Sequence, residues 1–411
     1  DKTLRDLKDN DQLMGGITFV LAGDFRQTLP VVPKGTRADE LNASLQKSSV
    51  WKYVVPLKLT KNMRSVIFGD ESAAQFAEQL LQIGNGELVR DASTHLHTLP
   101  CGQGVQSIDD LIRNVFPDLD SNISDLDWLF CRAILAPKNE DVDGVNMLLL
   151  KKLPGSETSY KSTDTVVSSD DVIKYPTEFL NSQTPSGTPP HNLILKVGVH
   201  IMMLRNLCPP KLVNGTRLTV KVMHRNIIEA VILAGRYKGE TVHIPRIPII
   251  PSNIQFEFKR IQFPIKVSFA MSINKSQGQS LRVVGLLLEN PCFSHGQLYV
   301  GCSRVGSSKN MFVYTGTNFD GTRIQTENIV YKEALTCTTR NPETRNPDAS
   351  HSVPQPVPHA ASHSVPQPVP HAASHSDPQP VPHAASHSGP KQVLEAATHT
   401  VGLHGRTAGS R

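Results

Sequence analysis

An α/β protein built on a parallel sheet, interrupted by an antiparallel β insertion and followed by a low-complexity tail, is what this sequence predicts. Three observations carry the expectation. Short continuous apolar runs recur at residues 16–24, 128–137, 265–271, 283–288 and 311–314, as in parallel strands buried on both faces. Between about residues 192 and 262 the pattern shifts to short β segments separated by Gly, Pro and Asn. From about residue 340 the chain becomes a Pro- and His-rich repeat.

Taken in order, residues 16–24 (GITFVLAGD) are β-rich and stop at Gly23-Asp24, the pattern of a strand running into a loop at its C-terminal end. Open α/β sheets bind ligands at that end. Residues 76–83 have helical spacing and stop at Gly84-Asn85-Gly86, a helix C-cap. Residues 128–137 predict a second buried strand, centred on Arg132 to Ala136. Asn139 then offers an N-cap for a helix over 139–150. Segments 193–195, 199–204, 217–222 and 227–233 predict the insertion, a small β-barrel at about 218–262, before the α/β pattern resumes at 265. In the tail, ASHSVPQPVPHA begins at Ala349 and recurs from Ala361 and, with Asp377 in place of Val, from Ala373 with a period of twelve, degenerating from Ala385. So little apolar bulk does not offset the entropy of ordering, and the segment is expected to be disordered, with polyproline character. Its prolines recur as Pro354, Pro356 and Pro358 rather than as PxxP, which argues against an SH3 ligand.

Composition excludes several classes. Hydrophobic residues at 38% and charged residues at 19% suit a buried core, and a net charge of +5 is too mild to argue by itself for nucleic acid. No run approaches the ~18 continuous apolar residues of a membrane span. The six cysteines fall in no CxxC or Cys/His zinc spacing, so no metal ligands are assigned in this chain. The start at Asp1, without Met, suggests a fragment or an incomplete gene model, and no signal peptide or other targeting signal is seen in the sequence.

Four clusters carry chemistry. Gly23-Asp24-Phe25-Arg26-Gln27 places an amide just past the first strand, where a motor ATPase needs a polar group to sense the γ-phosphate. Leu59-Thr60-Lys61-Asn62-Met63-Arg64 ends in a guanidinium able to neutralise charge on a phosphoryl group. Residues 274–280 (NKSQGQS) form a cationic, hydroxyl- and amide-rich loop suited to phosphate oxygens, of a nucleotide or of a DNA backbone. Residues 297–304 (QLYVGCSR) end in another arginine, Arg304. Read singly, each is also what a strand exit, a solvated turn or a surface arginine would give. No GxxxxGK[ST] loop is present.

Read together, in order and spacing, residues 23–32, 59–64, 132–146, 214–217, 269–280 and 294–305 resemble the petite-integration-frequency (PIF) DNA helicases. These are superfamily-one motors related to RecD, and the chain has a particular likeness to the forms carried by Helitron transposons. The resemblance runs from residue 1 to about 335 and includes the phrases YPTEFLN at 175–181 and IPRI at 244–247. It implies a RecA-like α/β motor of P-loop NTPase type. Residues 1–55 would be the end of an incomplete first RecA-like domain, and 56–335 the second, carrying the small β-barrel. Residues 336–411 would be the disordered tail.

By the same resemblance, Gln27, Arg64 and Arg304 are the catalytic residues. Asp24, Gln27, Arg64, Gly278 and Arg304 would bind ATP, and Lys275, Ser276 and Gln277 would bind DNA. ATP and Mg²⁺ are the implied cofactors, with the Walker loop and the metal-binding carboxylates expected upstream. The implied activity is ATP-dependent 5′-to-3′ unwinding of single-stranded and forked DNA, in telomere maintenance, recombination and repair. The nucleus is the expected compartment, with the mitochondrion second. The chain departs from the family in Gly301-Cys302-Ser303 before Arg304 and in its tail. The alternative reading is a catalytically inactive, transposon-derived remnant that at most binds nucleic acid.

Overall fold

In the computed structural model, residues 1–57, 59, 71–168, 173–251 and 254–336 are described, and they belong to one unit, Asp1–Cys337. The apolar run around residue 134 forms the strand Arg132–Ala136 at the heart of a five-stranded sheet. Its order is Ala270–Ser272, Arg132–Ala136, Val283–Leu287, Met311–Tyr314, Gln103–Gly104, and every pairing is parallel. The two-residue period of a strand sends Ile134 and Ala136 into one hydrophobic core and Ala133 and Leu135 into the other. Burying Ile134 and Leu135 stabilises the fold by about 1.5–3 kcal/mol each. The helices Ile108–Val115 and Asn139–Lys152 cover the first face. Gln297–Cys302 and Glu71–Asn85 contribute Leu298, Val300, Phe76 and Ile83 to the second.

Several boundaries differ from the sequence reading, each for a local reason. The first part of the run at 128–137 is helix, Leu126–Phe130, because the Asp125 carboxylate accepts the Asp127 and Trp128 amides at 3.0 Å each. The helix Asn139–Lys152 is capped by Lys138, and Asn139 is its first residue. The helix Glu71–Asn85 ends as expected. Gly86 adopts φ +66°, the Glu87 amide donates to Gln82 O, and the Gly86 amide donates to Ile83 O.

The insertion is antiparallel. One sheet has the order Thr241–Pro245, Ile227–Ile232, Arg217–Met223, His200–Met203, Ile265–Val267. A second joins Ile247–Ile249, Phe258–Gln262 and Thr163–Val166, and a third pairs Thr158–Lys161 with Asn192–Leu195. The antiparallel strands therefore extend on both sides of 218–262, from Thr158 to Val267. A fully buried ion pair, Arg260–Asp164 at 2.6 Å, anchors the second sheet. The same guanidinium donates to the carbonyls of Leu180, Gln183 and Pro189, which fixes the stretch after residue 179. Arg217 ties the insertion to the parallel sheet by donating to Phe130 O and Arg132 O, and burial lowers its pKa to about 10.

The run at 265–271 is not one strand but two. Ile265–Val267 pairs antiparallel with His200–Met203, and Ala270–Ser272 pairs parallel with Arg132–Ala136. Phe269 between them is wholly buried against Phe116 and His200. Ala270 lies on the sheet edge, and the Asn146 side chain satisfies both its N–H (2.8 Å) and its C=O (3.0 Å).

The run at 16–24 is a larger departure: residues 17–24 are irregular, and Phe19, Val20 and Leu21 are exposed. A strand exists only where neighbours take its backbone hydrogen bonds. Among the described residues none pairs with this segment. The expected tail lies outside the described residues from residue 337 onward.

Candidate functional site

The parallel strand Ala270–Ser272 ends in a 3₁₀ turn, Ile273–Ser276, at the carboxyl end of the sheet. Ser276, expected to face DNA, is instead buried, and its Oγ donates to Ile273 O at 2.7 Å. It closes the turn, because a buried hydroxyl needs a partner. Gln277 projects the other way, with its Nε2 donating to Gln27 Oε1 at 2.9 Å and its Oε1 accepting from Thr28 Oγ1 at 3.1 Å. Gly278 has φ +81°, and nothing lies within 4 Å of where a Cβ would stand. That is a backbone turn favouring glycine, open on its outer side.

Arg304 stands behind this loop. Its Nη1 donates to Gln279 O (3.0 Å) and Ser276 O (3.3 Å), its Nε to Val300 O (2.7 Å), and its Nη2 to Ser303 Oγ (2.7 Å). The guanidinium is buried and braces the loop carbonyls. Arg64, the other expected arginine, lies outside the described residues.

Residues 24–28 reach this loop through a tight turn. The Asp24 carboxylate accepts the Arg26 amide at 3.0 Å and pairs with its guanidinium at 3.2 Å, while Arg26 Nε donates to Asn85 Oδ1 at 2.8 Å. The Tyr299 hydroxyl donates to Asp24 Oδ2 at 2.8 Å, and burial followed by the Asp24 charge pushes that phenol's pKa up. His295 Nδ1 accepts the Tyr331 amide at 2.9 Å, which leaves Nε2–H to donate to Phe25 O at 2.8 Å. Burial lowers its pKa, so the ring is held neutral. Gly296, at φ +69°, admits the backbone here: a Cβ would stand 2.1 Å from Arg26 O. The structure thus brings together Asp24, Gln27, Gln277, Gly278 and Arg304.

Lys275 lies on the far side of the loop, where its Nζ donates to Asn214 Oδ1 at 3.4 Å. Burial lowers its pKa, and Lys266 lowers it further. Tyr299 and His295 were not singled out from sequence. Their signal was only that both fall within 294–305, one helical turn or two before Arg304.

No group of three His, Cys, Asp or Glu side chains able to hold a metal ion occurs among the described residues. These residues therefore do not by themselves fit an Mg²⁺ centre, whereas their amides, hydroxyl and guanidinium suit anionic oxygens. No helix among the described residues is long and apolar enough to cross a membrane.

A family model described as PIF1-like helicase matches residues 1–94, and one described as the 2B domain of DNA helicase Pif1 matches residues 178–223. Over these two stretches the chain is similar to PIF1-like helicases. The ATP-dependent DNA helicase PIF1 of Rattus norvegicus is 28% identical over 332 residues, covering 79% of this chain and 45% of that protein. The Homo sapiens protein of the same name is 27% identical over 315 residues, covering 75% of this chain and 42% of that protein. The chain thus spans less than half the length of these PIF1 relatives. The crystal structure of a Bacteroides Pif1 helicase in complex with ADP-AlF3 and single-stranded DNA aligns with a TM-score of 0.55. It is 20% identical and covers 82% of this chain and 69% of that one. The Pif1 helicase structure from Candida albicans aligns at 0.50, with 24% identity over 80% of this chain and 70% of that one. These alignments support a RecA-like α/β fold.

Proposed function

We propose that this chain is the nucleotide-responsive, strand-gripping part of an ATP-dependent DNA helicase that moves 5′ to 3′ on single-stranded and forked DNA. The observation that carries the reading is the loop from Ile273 to Gln279. It bonds Gln27 and Thr28 on one side and Asn214 on the other, and Arg304 braces it from behind. Any shift of Gln27 as a γ-phosphate arrives or leaves is therefore passed to Gln277. The loop that moves with it also carries Lys275, a cation suited to a DNA phosphate. ATP with Mg²⁺ would supply the driving hydrolysis. In this chain Asp24, Gln27 and Gly278, with Arg64, would face the nucleotide, and Arg304 would act through the loop that it braces. Lys275 would face DNA, and Gln277, bonded to Gln27, would link it to the nucleotide side. By the resemblance read in its sequence, its roles would lie in telomere maintenance, recombination and repair in the nucleus, and its origin in a Helitron transposon.

The test measures binding of the 411-residue chain to fluorescent oligothymidylate. It then measures DNA-stimulated ATP hydrolysis and fork unwinding in a polypeptide that also carries a phosphate-binding loop. Gln27→Ala should reduce hydrolysis at least tenfold, as loss of a transition-state contact does (roughly 1.4 kcal/mol or more), and Arg304→Ala should reduce it by freeing the loop it braces. DNA binding with no hydrolysis in that longer polypeptide would make the chain a binding remnant. Absence of DNA binding altogether would overturn both.

A further inference from the structure

Residues 328–336 form a strap that fastens two regions distant in sequence. On one side it holds the C-terminal end of the helix Glu71–Asn85. Asn328 Nδ2 donates to Ile83 O at 2.9 Å, and Lys332 Nζ donates to Asn85 O at 2.5 Å and to Gly86 O at 3.2 Å. On the other side it holds residues 37–46. Arg37 Nη2 pairs with the Glu333 carboxylate at 2.6 Å, and Gln46 Nε2 donates to Ala334 O at 3.2 Å. A capping box sets Arg37 at the start of the helix Arg37–Asn42: Thr36 Oγ1 accepts the Asp39 amide at 3.4 Å, and Asp39 Oδ2 accepts the Thr36 amide at 2.7 Å.

Tyr331 stands in the middle of the strap. Its ring stacks on that of His295, with centroids 5.2 Å apart and planes at 22°, and the Arg37 guanidinium lies over it at 4.4 Å. Its amide is also the group that His295 Nδ1 accepts, so one residue sets both the tautomer and the plane of the imidazole. The ring then has a single N–H to give, and it goes to Phe25 O, two residues before Gln27. Phe25 lies in the turn that the Gln27 amide closes on Asp24 O at 3.1 Å, and its ring meets Trp51 edge-on at 5.6 Å. A second route leads from the strap to the same turn: Lys332 holds Asn85, whose side chain accepts from Arg26. His295 is wholly buried and Tyr331 half-buried, so water competes little for these bonds.

We propose that Tyr331 is a positioning residue for Gln27, acting through His295, and that Arg37 holds its ring in place. Tyr331 touches no reacting atom. It fixes the Phe25 carbonyl, and with it the turn from which the Gln27 side chain reaches Gln277. That reach is exacting: Gln27 Oε1 accepts Gln277 Nε2 at 2.9 Å, and a displacement of about 0.5 Å would weaken the bond. The role of Tyr331 in the reaction rests on the nucleotide reading of Gln27 above.

The experiment uses the full 411-residue chain with Trp128→Phe, which leaves Trp51 as its single tryptophan. Amide hydrogen exchange at Gln27 and the emission of Trp51 are measured on the same samples. Tyr331→Ala should speed exchange at Gln27 about tenfold and shift the Trp51 emission to the red, while the amides of Arg132–Ala136 stay protected. Tyr331→Phe keeps the ring and should match the parent in both readouts. Arg37→Ala removes an exposed side chain and leaves the core untouched, and it should speed exchange at Gln27 about threefold. Unchanged exchange and emission in Tyr331→Ala would overturn the inference. A Tyr331→Phe chain as disturbed as Tyr331→Ala would overturn it too, because the ring would then not be what counts. Equal exposure of Gln27 and Arg132–Ala136 would make Tyr331 a support of the whole fold and no positioning residue. If Tyr331→Ala does not fold, unchanged exchange in Arg37→Ala decides against the inference. All these readouts follow the placing of the turn without nucleotide, so their failure leaves the γ-phosphate reading standing. Hydrolysis unaffected by Gln27→Ala removes that reading, and with it the role of Tyr331 in the reaction.

Discussion

Residues 16–28 and 265–277 read alike in the sequence: each is an apolar β-rich run that ends in a polar loop bearing a glutamine. In the folded chain they differ sharply. Phe269, Ala270 and Met271 are 0% exposed, whereas Phe19, Val20 and Leu21 are 48%, 89% and 50% exposed. Nonetheless Gln27 and Gln277, at the ends of the two runs, are hydrogen-bonded. A loop can therefore be placed without its strand. Residues 24–28 are held from the far side, by Tyr299, His295, Gln277 and the close approach at Gly296.

The largest expected effect tests that contrast directly. Phe269→Ala should cost about 3–5 kcal/mol, because it opens a cavity between Phe116 and His200, whereas Phe19→Ala should stay within about 0.5 kcal/mol. Urea denaturation of the two variants measures both, and equal losses would show that the first run is buried in solution. Next in size is Gly296→Ala. Its Cβ would meet Arg26 O, and φ +69° adds strain of about 1–3 kcal/mol, so the turn at 24–28 should detach. Hydrogen exchange should then rise at the Gln27 amide, bonded to Asp24 O, while the amides of Arg132–Ala136 remain protected. Equal exposure of both would mean that the two regions unfold together.

The smallest effect, per unit of pH, comes from buried histidines. Burial, then the Arg217 charge, lowers the His200 pKa well below 6.5, and burial lowers that of His295. Both are neutral when folded, so the unfolded chain binds protons first as pH falls below 6.5. Their contribution is full above that pH and is lost toward acid, by at most about 1.4 kcal/mol per pH unit for each group. Neither ring nitrogen of His200 has a hydrogen-bond partner among the described residues, and the ring lies flat on Phe269. His200→Phe should therefore keep the stability at pH 8 and flatten its decline between pH 6.5 and 5. An unchanged slope would assign the acid sensitivity to other groups.

The parallel strands at 132–136, 283–287 and 311–314 were legible because burial on both faces demands continuous apolar runs. The strands Thr158–Lys161 and Thr163–Val166 were not: most of their residues are polar, and their pairing partners lie some 30 to 100 residues away, at Asn192–Leu195 and Phe258–Gln262. The break at Ser268 was invisible because Val267, Phe269 and Ala270 are equally apolar on either side of it. In the site, the residue types at Gln27, Gln277 and Arg304 were legible from order and spacing. That Arg304 braces carbonyls and that Ser276 turns inward depends on which groups burial leaves without water, which spacing alone does not encode.

Only Ser268 and Phe269 separate the last antiparallel strand of the insertion from the edge strand of the parallel sheet. Both ends of that link are fastened: the Ser268 amide donates to His200 O at 2.9 Å, and Phe269 O accepts the Ile134 amide at 3.2 Å. Two residues span at most about 7 Å, so the link has almost no slack to take up. Mechanically it is a stiff coupling rather than a spring, and tension applied along Ile265–Val267 is delivered to the strand leading into the Gln277 loop with little lost to stretching.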